Sequence, residues 1–395
     1  MHGASGRRSD PVGRARSECE QSIGEGMRSR ALLQGRGGVT GERPGVYVHG
    51  TALEITWRDA TRNLGELIFD VVDGAVRDSG IGMQSVDSVV LAAHDLVDGR
   101  SLSSMVTAPA AGAYLRDEIR FGDDSAGAFA AAVTRLEAGH ARCSIVAGWG
   151  RSSEHDPDRV SQALFDPFWQ RPLGMRELDV SALRAQAWRL RHPGSSGWDD
   201  VVAASDSRAT RARANPRAVS HGGHVADVPP LMPAGSMPVL ADVVVAVVLS
   251  TEPSPIRVAG LGLSSEPYLV GDRDLVAMPA LRTAARLALA EAGASAEQLD
   301  VVELDGLTLL DEAISLEAVG RAAPGQGLAR LSADDAVNAS GGGAAGYCAP
   351  AMGLTRIVEA ALRLGPGGSG AQRAMATGSS VVGGQTQTAV VLEAA

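Results

Sequence analysis

A chain of 395 residues that is 45% hydrophobic can bury a large core, and its net charge of −10 argues against a nucleic-acid binder. Its longest apolar runs, such as 243–249, fall far short of the ~20 residues of a membrane-spanning helix, so a cytoplasmic protein without membrane association is expected. All 36 basic residues are arginine, which excludes chemistry through a lysine Schiff base, and three cysteines (Cys19, Cys143, Cys348) are too few and too dispersed for a disulfide framework or a zinc knuckle.

Residues 1–45 are rich in Arg, Gly and Ser with little apolar periodicity and read as a disordered N-terminal arm. Residues 75–91 then read as a helix ending at Gly80, a short loop, and a buried strand beyond Asp87. The same succession returns without gaps at 288–304, with Gly293 and Asp300 in the matching places. Small-residue helices follow in each half, at 127–136 and 353–362, and strands at 143–149 and 374–379 come after them. This repetition predicts two α/β halves, 46–255 and 256–395, with strands sandwiched between helix layers. Inside the first half, 151–237 has irregular patterning and a Pro-rich flank at 228–233, and reads as an inserted loop domain covering one lobe. Glu312 and Glu317 fall on a predicted helix and read as facing water, while Cys143 in its apolar strand reads as a structural thiol. His221 and His224 have no metal-type neighbours, and no metal site is expected.

The most informative stretch is 337–353. Its adjacent Gly341, Gly342 and Gly343 would let the backbone approach a ligand closely, and the helix that follows would aim free N–H groups and a positive dipole end at it. Such a loop suits an oxyanion or a thioester carbonyl.

Family likeness rests on motifs and their order: Asn338-Ala-Ser-Gly-Gly342, then Gly346-Tyr-Cys-Ala-Pro-Ala-Met-Gly353, the earlier Asn215-Pro-Arg-Ala218, the strand at 242–249, and the glycine-containing closing hairpin at 382–392. Over 46–395 the chain resembles the thiolase superfamily, in particular its sterol-carrier-protein-X-type, thiolase-like acyl-CoA branch. The resemblance implies an α/β, duplicated thiolase fold of αβαβα layering with an inserted loop domain. It implies an acyl-CoA substrate, no cofactor beyond that coenzyme A, and substrate contacts from Asn338, Ser340, Gly341, Gly342, Gly346, Ser380 and Gly383. Assembly as a homodimer or with another thiolase-like chain is implied as well, together with an OB-fold zinc-ribbon partner.

The acyl-transfer residues of that family are replaced. Asp124 or Ser125 stands at the nucleophilic cysteine, Tyr347 at the activating histidine, Asp305 at the second loop, and Ser379 or Ser380 at the second cysteine. Three readings follow. In the first, the chain resembles steroid side-chain aldolases, which keep tyrosine rather than cysteine chemistry, and cleaves a β-hydroxyacyl-CoA by retro-aldol; an ordinary tyrosine titrates near ~10, so Tyr347 serves as proton donor and Asp305 as base. In the second it is an inactive subunit of a heteromeric acyl-CoA complex. In the third it is an acetyl-CoA acetyltransferase-type enzyme in which Cys348 is a displaced nucleophile, its pKa lowered by a helix end. Arg184, Arg189 and Arg211 of the loop domain are expected to meet the phosphates of CoA.

Overall fold

The computed structural model describes residues 44–98, 104–194, 198–219, 223–229, 232–233, 235–365, 367–381 and 383–395. The arm read over 1–45 lies, apart from its last two residues, outside the described residues, as does His221. Among the described residues nine strands form one mixed sheet: β1 (Tyr47–Thr56), β2 (Ser88–Ala92), β3 (Asp117–Phe121), β4 (Cys143–Arg151), β5 (Asp242–Ser250), β6 (Ile256–Ser265), β7 (Val301–Glu303), β8 (Arg373–Ser379) and β9 (Thr386–Ala394). Their spatial order is β3-β2-β4-β5-β1-β6-β9-β8-β7. The longer helices among the described residues flank them: α1 (Leu64–Ser79), α2 (Ser125–Glu137), α3 (Glu177–Arg191), α4 (Trp198–Ala214), α5 (Pro279–Glu291), α6 (Leu309–Ala318) and α7 (Met352–Leu364).

The unbroken apolar run of β5 is explained by cover on both faces. Every residue of β5 is buried. Val244, Ala246 and Val248 pack with the apolar side of α1, whereas Val243, Val245, Val247 and Leu249 join a cluster with α2 and α7. Successive strand residues point to opposite faces, so a strand buried on both needs no polar alternation. Farther along the sheet, Ala374, Ala376, Val390 and Leu392 face the α2/α7 cluster, and Met375, Ala389 and Val391 face one that includes α5 and α6.

The internal repeat of the sequence has a structural counterpart. The order β2-β4-β5-β1 on one side of the sheet is repeated by β7-β8-β9-β6 on the other, with β2 parallel to β4 and β7 parallel to β8. Gly80 and Gly293, each just after its helix, both take left-handed φ values (66° and 62°). Asp87 accepts the N–H groups of Arg142 and Cys143 at 2.8 and 3.2 Å, and Asp300 accepts those of Gln372 and Arg373 at 2.8 and 3.0 Å. Each carboxylate thus pins the start of the neighbouring parallel strand. Gly50 and Gly260 repeat as well: a Cβ would lie 2.2 Å from the Ala75 carbonyl oxygen in one half and 2.0 Å from that of Ala288 in the other, so each lets a helix touch its strand.

The segment read as an irregular loop domain contains α3 and α4 and a short helix, Pro157–Leu164. It docks on α6, all ten residues of which are buried. Glu312 and Glu317 therefore do not face water. Glu312 pairs with Arg208 at 3.2 Å, and Glu317 accepts Trp188 Nε1–H at 3.1 Å. Periodicity marks α6 as a helix but does not reveal that its polar side faces protein. Among the described residues no helix is long and apolar enough to cross a membrane.

Candidate active site

A cavity of about 280 Å³ opens where the loop domain meets the sheet. Its wall takes Ser152 from just beyond β4, Asp305 from just beyond β7 and Ser379 from the end of β8, all at carboxyl ends of strands that have a parallel neighbour, where α/β sheets place their ligand sites. Tyr347 and Cys348 enter from the loop before α7, and Glu177, Ser181 and Arg184 from α3. Ser380 and Gly383 line it from the turn between β8 and β9.

Asp305 is anchored and then left half-satisfied. Its N–H donates to Thr377 Oγ1 at 2.9 Å and its Oδ2 accepts Ser379 N–H at 3.0 Å, while Oδ1 is buried without a partner. Burial pushes the carboxyl up to about 7, against the opposing pull of Arg356 and the Ser379 N–H. Asp124 caps the start of α2, its Oδ2 accepting the N–H groups of Ala126 and Gly127 at 3.0 and 3.3 Å. Complete burial and the charges of Asp305 and Asp123 hold its carboxyl well above the usual carboxylate range. Asp124 lies behind the cavity wall, close against Gly353 and Gly378. Ser125, the other residue read at the cysteine position, is fully buried with its Oγ accepting Leu354 N–H at 2.9 Å; it ties α2 to α7 and does not line the cavity.

Tyr347 is clamped by its backbone and free at its hydroxyl. Its N–H donates to the Val239 carbonyl at 2.8 Å and its own carbonyl accepts Ala241 N–H at 3.0 Å. Among the described residues nothing hydrogen-bonds the hydroxyl. Burial, with the charges of Asp305 and Glu177, pushes that hydroxyl well above its ordinary value, so it is an O–H donor throughout the neutral range. Cys348 lines the cavity too, but burial pushes its thiol up to about 12. The three-residue turn Ala349–Ala351 that it precedes does not activate it, contrary to the expectation of a lowered pKa.

The glycine-rich loop has a different task from the one its composition suggested. The N–H groups of Asn338, Ser340, Gly341 and Gly343 go to the Val302 carbonyl, Glu303, the Asn338 carbonyl and Glu312, at 2.8 to 2.9 Å. Ser340 Oγ also donates to Glu303 at 2.6 Å and accepts from Arg356 at 2.7 Å. Asn338, Ser340, Gly341, Gly342 and Gly346 are all absent from the cavity wall. Gly342 has φ 52° and a Cβ there would lie 2.5 Å from Glu312 Oε1, while Gly341 sits against the backbone of Ala212 in α4. Gly341 and Gly342 serve close approach of protein to protein, and the N–H groups of Asn338, Ser340, Gly341 and Gly343 are taken by protein acceptors and so do not form an oxyanion cradle.

Of the arginines expected at CoA phosphates, Arg184 lines the cavity but is buried in an ion pair with Asp311. Arg211 holds the carbonyls of Val337 and Leu331, and Arg189 is exposed and off the cavity wall. A residue the sequence did not single out is Glu177, at the first turn of α3. Its Oε1 accepts Gly383 N–H, and burial pushes its carboxyl up to about 8. The arrangement as a whole is a pocket holding two carboxyls near neutrality and a protonated tyrosine, with no activated thiol among the described residues.

Neither a protein-family model nor a curated relative matches the chain. Among solved structures it is similar to the "Ltp2-ChsH2(DUF35) aldolase", with a TM-score of 0.71 at 17% identity, covering 89% of this chain and 98% of that one. At that identity the likeness is one of fold.

Proposed function

We propose that the chain is a thiolase-like lyase with duplicated αβαβα layering that cleaves a carbon–carbon bond in a β-hydroxyacyl-CoA by a retro-aldol step, without a covalent intermediate. The observation that carries this reading is the pairing of Asp305, raised to about 7, with a protonated Tyr347 in one cavity whose only thiol among the described residues is raised to about 12. Ionised Asp305 takes the proton of the β-hydroxyl, and the O–H electron pair becomes the new carbonyl. The Cα–Cβ bond breaks, its pair forms the thioester enolate, and Tyr347 delivers the proton that ends on Cα. Ser380 and Gly383 are substrate contacts in this reading. A steroid side chain is the acyl class implied by the resemblance.

The name of the similar aldolase joins two designations, and we take a partner to belong to the active assembly of this chain, either the OB-fold zinc-ribbon protein or a second thiolase-like chain. The test is to incubate the purified chain, alone and with its co-expressed neighbours, with β-hydroxyacyl-CoA and β-ketoacyl-CoA panels, and to repeat it with Tyr347→Phe. Cleavage that Tyr347→Phe lowers at least ~100-fold is expected. Absence of turnover in every combination would leave the inactive-subunit reading standing instead.

A further inference from the structure

Tyr347 cannot give up a proton unaided. Its hydroxyl shares the cavity with Asp305 and Glu177, whose charges disfavour a tyrosinate, so a proton leaving its oxygen has to be replaced in the same step. Apart from Asp305, which the cleavage uses as base, the carboxyl with the largest influence on that hydroxyl is Glu177, and both side chains line the cavity.

Glu177 is held there on several sides. Its N–H donates to Ser161 Oγ at 2.7 Å, and its Oε1 accepts the N–H of Gly383. Farther along the same helix, Ser181 Oγ donates to Asp311 at 2.6 Å and Arg184 pairs with the same carboxylate. That leaves Oε2 without a hydrogen bond among the described residues, in a side chain that faces the ligand space. The charged groups around it are Arg184 on its own helix, Asp311 of α6, and Arg273 from the segment after β6; the two arginines favour its ionised form and Asp311 opposes it.

We propose that Glu177, through Oε2, is the group that re-protonates Tyr347 during the cleavage, a role that rests on the retro-aldol reading. Protons and electrons then balance. Asp305 receives the β-hydroxyl proton, Cα receives the proton of Tyr347, Tyr347 receives that of Glu177, and the cycle ends with Asp305 protonated and Glu177 ionised. Transfer from Asp305, near 7, to Glu177, near 8, resets the site in the favourable direction.

The test compares kcat and KM of the wild type and Glu177→Gln between about pH 6 and about pH 9, in the assembly that cleaves β-hydroxyacyl-CoA. Gln keeps an acceptor for Gly383 N–H while removing the proton. The expected result is a kcat roughly 10- to 100-fold lower with KM within about twofold, together with an alkaline decline near pH 8 in the wild type that is lost in the variant. Partial restoration of Glu177→Ala by added formate is expected too. An unchanged kcat and profile would overturn the proposal. So would a loss accompanied by raised KM, a lowered thermal midpoint, an intact profile and no rescue by formate, which marks a structural role. If the wild type cleaves no β-hydroxyacyl-CoA in any assembly, the retro-aldol reading itself has failed and this role falls with it.

Discussion

Asp305→Asn separates chemistry from stability, because the burial that tunes this carboxyl works against the fold. Native Asp305 is raised from 3.8 to about 7. Between those values the folded chain holds a proton that the unfolded chain has released, so stability falls as pH rises through the window and the loss is complete above about pH 7. At about 1.4 kcal/mol per pH unit, the part of the window above pH 5 is worth about 3 kcal/mol. Asn does not titrate yet still offers an oxygen to Ser379 N–H, so the variant should gain about that much relative to wild type between pH 5 and pH 8. Urea unfolding at the two pH values measures it. Cleavage should meanwhile fall about 10²- to 10⁴-fold, and the acid limb of kcat/KM, centred near 7 in the wild type, should disappear. A stability difference that is the same at both pH values, or an acid limb that survives the substitution, would refute the assignment of a titrating base to Asp305.

Other substitutions probe the readings that the geometry disfavours. Ser125→Ala should leave turnover intact while lowering stability by about 1–3 kcal/mol, because the buried Leu354 N–H loses its acceptor; loss of activity at unchanged stability would point back to a serine nucleophile. Cys348→Ala should retain activity, and iodoacetamide should leave the native thiol unmodified at neutral pH, as mass spectrometry of the intact protein can check. Arg208→Ala strands Glu312 in the interior and removes donors to the Ser236 and Met237 carbonyls, so it should cost about 3–5 kcal/mol in denaturant unfolding.

What could be read from the chain follows from which physical effects leave a periodic trace. The run 243–249 announces a strand covered on both faces, and the paired Gly80/Gly293 and Asp87/Asp300 announce a repeat because turn chemistry and strand pinning restrict residue type at fixed places. Tyr347 and Asp305 were reachable from motif order, and the cavity does bring them together. The glycine-rich loop was not interpretable in the same way. A glycine is demanded wherever backbone comes close to something, and the residue alone does not say whether that something is a ligand or, as for Gly341 and Gly342, Ala212 and Glu312. Cys348 likewise carries no sequence mark of the burial that raises its thiol.

Glu177 went unseen for a related reason, and its signal was present. Glu177, Ser181, Arg184 and Trp188 follow one another at intervals of four, three and four residues, which puts them on one face of α3. Because that face is mixed in polarity, a search for apolar stripes passes over it. Opposite stand Asp311, which receives Ser181 and Arg184, and Glu317, which receives Trp188 Nε1–H. An apolar seam would hold two helices together without strongly fixing their rotation, since hydrophobic contact has no direction. Hydrogen bonds to buried carboxylates do have one, and any turn of α3 that carried Glu177 out of the cavity would break all three. The desolvation cost of burying acids on α6 is thus tied to the rotational setting of Glu177 in the cavity wall.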